Sequence, residues 1–158
     1  MSLKIELTSD WELERIEAIW SSVLACIRRF VNEFPEEATE TQIIEDILSG
    51  ARQLWVVYDE DQPTTALLAV MTASKEFVAT GVSFVEIVGI GGERIREALP
   101  LIDNIEQWAE KQGAKGAIII GRFGWIPMLK ERGYKKKAVI LKKVLGDNQD
   151  GQLTKQDE

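Results

Sequence analysis

Histidine is absent from this chain of 158 residues. That removes the commonest general base, the commonest metal ligand and any Ser-His-Asp or Cys-His device. Cysteine occurs once, so no internal disulfide can form, which suits a reducing compartment. Cys26 lies among Val23, Leu24 and Ile27 on a helical pattern, the setting of a buried inert thiol. Basic residues fall short as well: 19 Lys and Arg against 26 Asp and Glu leave a formal charge of -7. Non-specific attraction to DNA, RNA or an anionic membrane is therefore not expected, and the Lys135-Lys136-Lys137 cluster reads as edge protection. No apolar run is long enough to span a bilayer, and the first residues lack the basic-then-apolar order of a signal peptide. The expectation is a cytoplasmic protein with neither nucleic acid nor membrane as partner, and with no metal site.

What is present reads as one domain. Lys4 to Thr8 alternates as a first strand. Ser9 or Asp10 caps a helix in which Leu13, Ile16, Ile19, Trp20, Val23, Ile27 and Phe30 share a face, ended by Phe34-Pro35. Thr39 or Thr41 caps a second helix, stopped by Ser49-Gly50. Leu54 to Tyr58 and Thr65 to Ala73 form a hairpin around a polar turn, and Ser83 to Ile90 is a fourth, interior strand. A helix follows with Leu99, Ile102, Ile105, Trp108 and Ala109 on its buried side and Pro100 in its first turn. Gly116 to Ile120 is a parallel strand that puts Ile118 beside Val88 after a right-handed crossover. A short helix with Trp125, Met128 and Leu129 ends at Gly133, and Ala138 to Leu145 reads as a last strand. The expected fold is α/β, a mixed sheet of about six to seven strands with helices on both faces, over residues 1–146. Residues 147–158 are expected to form a disordered polar tail.

The most informative junction is Gly91-Gly92. It follows the apolar run Val85 to Ile90 and precedes the helix-patterned Glu93-Arg94-Ile95-Arg96-Glu97. A strand, a glycine turn and a helix start leave peptide N–H groups aimed outward, where a pyrophosphate can sit. The glycines read either as a tight turn alone or as that anion cradle. Arg94 and Arg96 either pair with phosphates or are held by Glu93 and Glu97. A carboxylate at Glu93 would repel a phosphate. Glu86, charged inside an apolar run, either faces a cleft as a base or points outward. Arg122 and Trp125 either form a constellation at the sheet's C-terminal end or, for Trp125, pack in the core; five tryptophans favour aromatic packing first.

The element order with a glycine junction after the fourth strand resembles the GNAT superfamily of acetyl-CoA-dependent N-acyltransferases, from Lys4 to Leu145. More narrowly, Trp108-Ala109-Glu110-Lys111-Gln112-Gly113, Gly121-Arg122-Phe123-Gly124-Trp125 and Gly133-Tyr134 resemble a GNAT-like group encoded in tailed-phage and prophage genomes. The resemblance implies acetyl-CoA as cosubstrate, its pyrophosphate held at an R/Q-x-x-G-x-G/A loop. Here that maps onto Ile90, Gly91, Gly92, Arg94 and Arg96, with Arg122 beside them. It implies a carboxylate proton relay, for which Glu86 is the candidate, and a tyrosine acid, whose position falls on Leu129, with an asparagine position on Arg122. The loop here is shorter than the family pattern and lacks its G-x-G. Two functions follow: an N-acetyltransferase for an unidentified small-molecule or protein amine, or a catalytically inactive phage or prophage protein with a structural or interaction role among virion components. The resemblance also implies that a homodimer is common.

Overall fold

The computed structural model describes residues 2–121 and 123–146. Contacts divide the chain into two compact units, Met1–Ile120 and Gly121–Glu158. The first unit carries β1 (Leu3–Leu7), α1 (Leu13–Glu33), α2 (Glu40–Ser49), β2 (Gln53–Asp59), β3 (Ala66–Phe77), β4 (Val82–Gly92), α3 (Ile95–Ala98), α4 (Ile102–Lys111) and β5 (Ala117–Ile119). The strands pair in chain order, β1 to β4 antiparallel and β4 with β5 parallel. The parallel pair needs a crossover, which the helical stretch from α3 through α4 supplies.

Alternation along the strands assigns the two faces. Leu54, Val56, Tyr58, Ala69 and Met71 join Ile19, Val23, Ile27, Phe30 and Ile43 in one buried cluster, so α1 and α2 cover that face. Trp55 and Val57 face the other way. Trp55 meets Trp108 of α4 edge-on at 5.4 Å, and Val57 joins Ile5, Val70, Ile90, Leu99 and Ile102 in an apolar seam.

Local chemistry accounts for most boundaries. Thr39 Oγ1 accepts the Gln42 N–H at 3.1 Å and caps α2, which Gly50 ends at φ 85°. Glu12, not Ser9 or Asp10, holds the N-cap position of α1 and makes no side-chain cap bond. Trp11 is turned back there by its N–H on the Thr8 carbonyl at 3.0 Å, and Leu13 is left exposed. Pro100 sits in the middle of the crossover, at the first positions of a helical turn as expected. Lacking an N–H, it marks a 3-10 turn, Leu99–Leu101, between α3 and α4.

The first turns of α1 are tied to the sheet by one polar cluster. Arg15 lies 3.5 Å from the Trp11 ring centroid, and its Nη2 donates to Glu6 Oε2 at 2.6 Å and to the Tyr58 hydroxyl at 3.3 Å. Tyr58 also donates to Glu6. The Arg15 hydrogen bond holds the Glu6 carboxyl below its ordinary range. A folded-state value below the unfolded one adds stability above about pH 4.5, lost as pH falls through the folded value. Arg15→Ala should therefore cost about 1 kcal/mol at pH 7, where both side chains are partly solvated. Chemical denaturation at pH 7 and pH 3 should show that difference shrinking in acid.

In the second unit a 3-10 turn, Phe123–Trp125, leads into α5 (Ile126–Glu131), where Leu129 is buried; Gly133 ends it at φ 92°. The expected last strand is absent: residues 138–145 pair with no described strand, and Val139, Ile140, Leu141 and Leu145 are exposed. Among the described residues the sheet thus has five strands, not six to seven. A strand exists only through its neighbour's hydrogen bonds, which side-chain pattern alone does not supply. Residues 147–158, read as a disordered tail, lie outside the described residues. No helix among the described residues is long and apolar enough to cross a membrane.

Candidate functional site around the fourth strand

A bulge sets the site. Met71 opposes Gly89 while Thr72 opposes Ile87, so Val88 is an extra residue on β4. Before it, buried Val85 and Ile87 face α4; after it, Ile90 faces α4, one position out of step. The bulge lets both apolar halves reach the same side. Thr72, fully buried opposite Ile87, accepts the Trp55 Nε1–H at 3.1 Å and donates to Gln53 Oε1 at 3.0 Å.

β5 pairs with β4 only at Val85, Glu86 and Ile87, so Ile118 lies beside Glu86 and not beside Val88. From Val88 to Gly92 the β5 side of β4 has no strand neighbour among the described residues. Gly91 and Gly92 are not a turn: they continue the strand opposite Ala69 and Leu68. Their reason is proximity. A Cβ on Gly91 would stand 2.2 Å from the Cys26 carbonyl oxygen of α1, and one on Gly92, at φ 131°, 2.3 Å from the Leu67 carbonyl oxygen. Next along, the Glu93 N–H donates to that Leu67 carbonyl at 2.8 Å. Alternation in the ladder then turns the peptide groups of Ile90 and Gly92 toward the edge β5 has left, and those of Gly91 toward β3. Gly91 therefore offers no outward amide.

The turn into α3 falls on Arg94, at φ 62° and ψ 37°. This left-handed conformation comes freely to glycine and costs other residues about 1 kcal/mol. A backbone shape suited to glycine is thus kept without the glycine. The N–H groups of Ile95, Arg96 and Glu97 have no backbone acceptor among the described residues, as expected in a first helical turn. Arg94 is held by Glu97, with Nε 3.1 Å from Oε2, and the guanidinium keeps that carboxyl below its usual range. Arg96 is exposed and has no ion pair among the described residues. Glu93 points its carboxylate at Arg29 of α1, 3.5 Å away, which offsets the repulsion expected for a phosphate. Ile95 turns into the apolar seam. Arg122 lies outside the described residues.

Glu86 sits on β4 just before the bulge, opposite Ala73, on the face that α1 and α2 cover. It is half-buried and has no hydrogen bond or ion pair among the described residues. Leu129, on which the resemblance places a tyrosine acid, is buried in the second unit and carries no proton to give. Cys26 is buried, its thiol pushed up to about 11 by burial, which makes it inert. Trp125 is half-buried in its own unit. Among the described residues no group of His, Cys, Asp and Glu could hold a metal ion. The residues that sequence reasoning missed are Val88, Thr72 and Arg29. Only Val88 left a trace, in the parity change between Ile87 and Ile90.

No protein-family model matches the sequence, and no curated protein matches it either. Solved structures do match. An acetyltransferase of Trypanosoma brucei superposes with a TM-score of 0.63 at 12% identity, covering 91% of this chain and 100% of its own. Glucosamine-6-phosphate N-acetyltransferase of Arabidopsis thaliana gives 0.61 at 13%, covering 92% and 100%. A Pyrococcus furiosus protein provisionally assigned as an acetyl transferase gives 0.62 at 22%, covering 91% and 100%. The chain has the fold of the GNAT acetyltransferases.

Proposed function

We propose that this protein is an N-acetyltransferase that uses acetyl-CoA as acetyl donor. The observation that carries this reading is the free edge of β4 from Val88 to Gly92, made by a bulge and by the early departure of β5, in a fold shared with acetyltransferases. The residues present fit the carrier. The outward peptide groups of Ile90 and Gly92 suit an amide-bearing arm, and the first-turn N–H groups of α3 with Arg96 suit a diphosphate. When bound, acetyl-CoA supplies an acetyl group activated as a thioester.

The chain's own residues then do three things. The β4 edge orients the acetyl carbonyl and donates to its oxygen as negative charge develops there. Glu86 takes the proton that the acceptor amine gives up while its nitrogen bonds to the acetyl carbon and the carbon–sulfur bond breaks. The departing sulfur takes its proton from water. Isothermal calorimetry with acetyl-CoA, followed by thiol release with added amines, tests the reading. Heat of binding and amine-dependent thiol release support it; no heat at millimolar ligand with folded protein ends it. Arg96→Glu should weaken coenzyme A about tenfold, or ~1.4 kcal/mol, at low salt, with an unchanged melting temperature.

A second reading is favoured by two specific observations. Arginine occupies the left-handed position at 94, and a buried leucine stands where an acid is expected. These fit a catalytically inactive relative, of phage or prophage origin by resemblance, acting through structure or interaction. Binding of coenzyme A without thiol release from any amine would favour it.

A further inference from the structure

The β3–β4 hairpin runs on past β2, whose pairing with β3 ends at Gln53 opposite Thr72. On that arm Ala73, Lys75 and Phe77 face the same side as Phe84 and Glu86, because Ala73 opposes Glu86 and Lys75 opposes Phe84. Phe77 and Phe84 meet edge-on at 5.4 Å, which confirms the shared side. Phe77 is 41% exposed and Phe84 half-buried, its ring so close to Gly116 that a Cβ there would stand 2.6 Å away. Glu86 and Lys75 carry no ion pair among the described residues, though they lie on adjacent strands of one face.

Away from the bulge this strip carries the Glu86 carboxylate, then the Phe84 ring with Lys75 opposite it on β3, then the Phe77 ring. We propose that it is the acceptor platform and that it selects a monocationic amine borne on an aromatic or apolar body; the assignment rests on the reading of the preceding subsection. The ligand's ammonium pairs with Glu86, and its apolar body lies along Phe84 and Phe77, where burial and ring contacts hold it. Cation–π attraction at Phe84 adds to the pull of Glu86. Lys75 decides between cation classes. An elongated polycation that placed one ammonium on Glu86 would bring a second toward Lys75, where like charge repels it. A single charge with an apolar tail meets no such penalty.

Ligand-detected NMR on the full chain without coenzyme A tests this with phenethylamine, phenethyl alcohol and spermidine. Phenethylamine should bind at least tenfold more tightly than either of the others. Glu86→Gln should weaken it at least tenfold while coenzyme A affinity stays the same. Lys75→Glu, a change at an exposed position, should tighten spermidine at least fivefold more than it tightens phenethylamine. Equal or tighter binding of spermidine by the wild type, or unaltered phenethylamine binding by Glu86→Gln, overturns the platform. Phenethylamine binding that follows this pattern in a protein to which coenzyme A does not bind upholds the platform and overturns the transferase reading instead.

Discussion

Replacing Gly91 by alanine should lower the melting temperature by about 10 °C, the equivalent of about 3 kcal/mol for a chain of this size. The new Cβ would lie 2.2 Å from a backbone oxygen, that of Cys26, and 2.9 Å from Phe30 Cβ. Nothing there is the loose end of a side chain. Relief requires α1 to move off the sheet, and α1 supplies Ile19, Val23, Ile27 and Phe30 to the buried cluster. Gly89→Ala is the informative comparison. Its Cβ would meet the Met71 terminal methyl at 2.7 Å and the Phe30 ring at 3.0 Å, groups that can swing aside. It should cost less than half as much. Gly124→Ala, with no neighbour within 4 Å, should be neutral to within about 0.5 kcal/mol. Differential scanning calorimetry of the three variants gives the order; equal losses at Gly89 and Gly91 would contradict the close approach of helix and strand.

Glu86→Gln should reduce turnover by about a hundredfold or more at pH 7, the scale of losing a positioned general base. Glutamine keeps the shape and removes the proton acceptor. Because Glu86 has no ion pair among the described residues to lose, the melting temperature should stay within about 2 °C. The loss should fall on kcat and on the KM of the amine and leave the KM of acetyl-CoA unchanged, since the proposed coenzyme A site lies farther along the strand and at the start of α3. Raising the pH should recover part of the rate, as a larger share of the amine is already neutral. Steady-state kinetics of thiol release from pH 6 to pH 10 measures this. A variant with wild-type kcat at pH 7 would remove Glu86 from the chemistry.

The legible parts of the chain were those where a short-range period meets a continuous core. The three-and-four spacing of α1 found Ile19, Val23, Ile27 and Phe30, all buried, and alternation found the β2–β3 hairpin. Glu86 was singled out because a charge inside an apolar strand has to be explained, and the strand assignment around it holds. Gly91 and Gly92 were misread as a turn. Glycine tells equally of a left-handed backbone and of a close neighbour, and the neighbour is Cys26, far away along the chain. The last strand was misread because Ala138 to Leu145 has the composition of a strand but no partner among the described residues. The bulge was legible in principle. Val85 and Ile87 stand on odd positions and Ile90 on an even one, and only an inserted residue keeps all three on one face.

The central claim is that the free edge of β4 grips coenzyme A through peptide groups. Amide-resolved hydrogen exchange with and without 1 to 5 mM (on the order of a weak-binding Kd) coenzyme A tests it most directly. The expected result is slowed exchange at Ile90, Gly92 and the first turn of α3, with Gly91, already turned to β3, little changed. Unchanged exchange from Val88 through Glu97 in folded protein would contradict it.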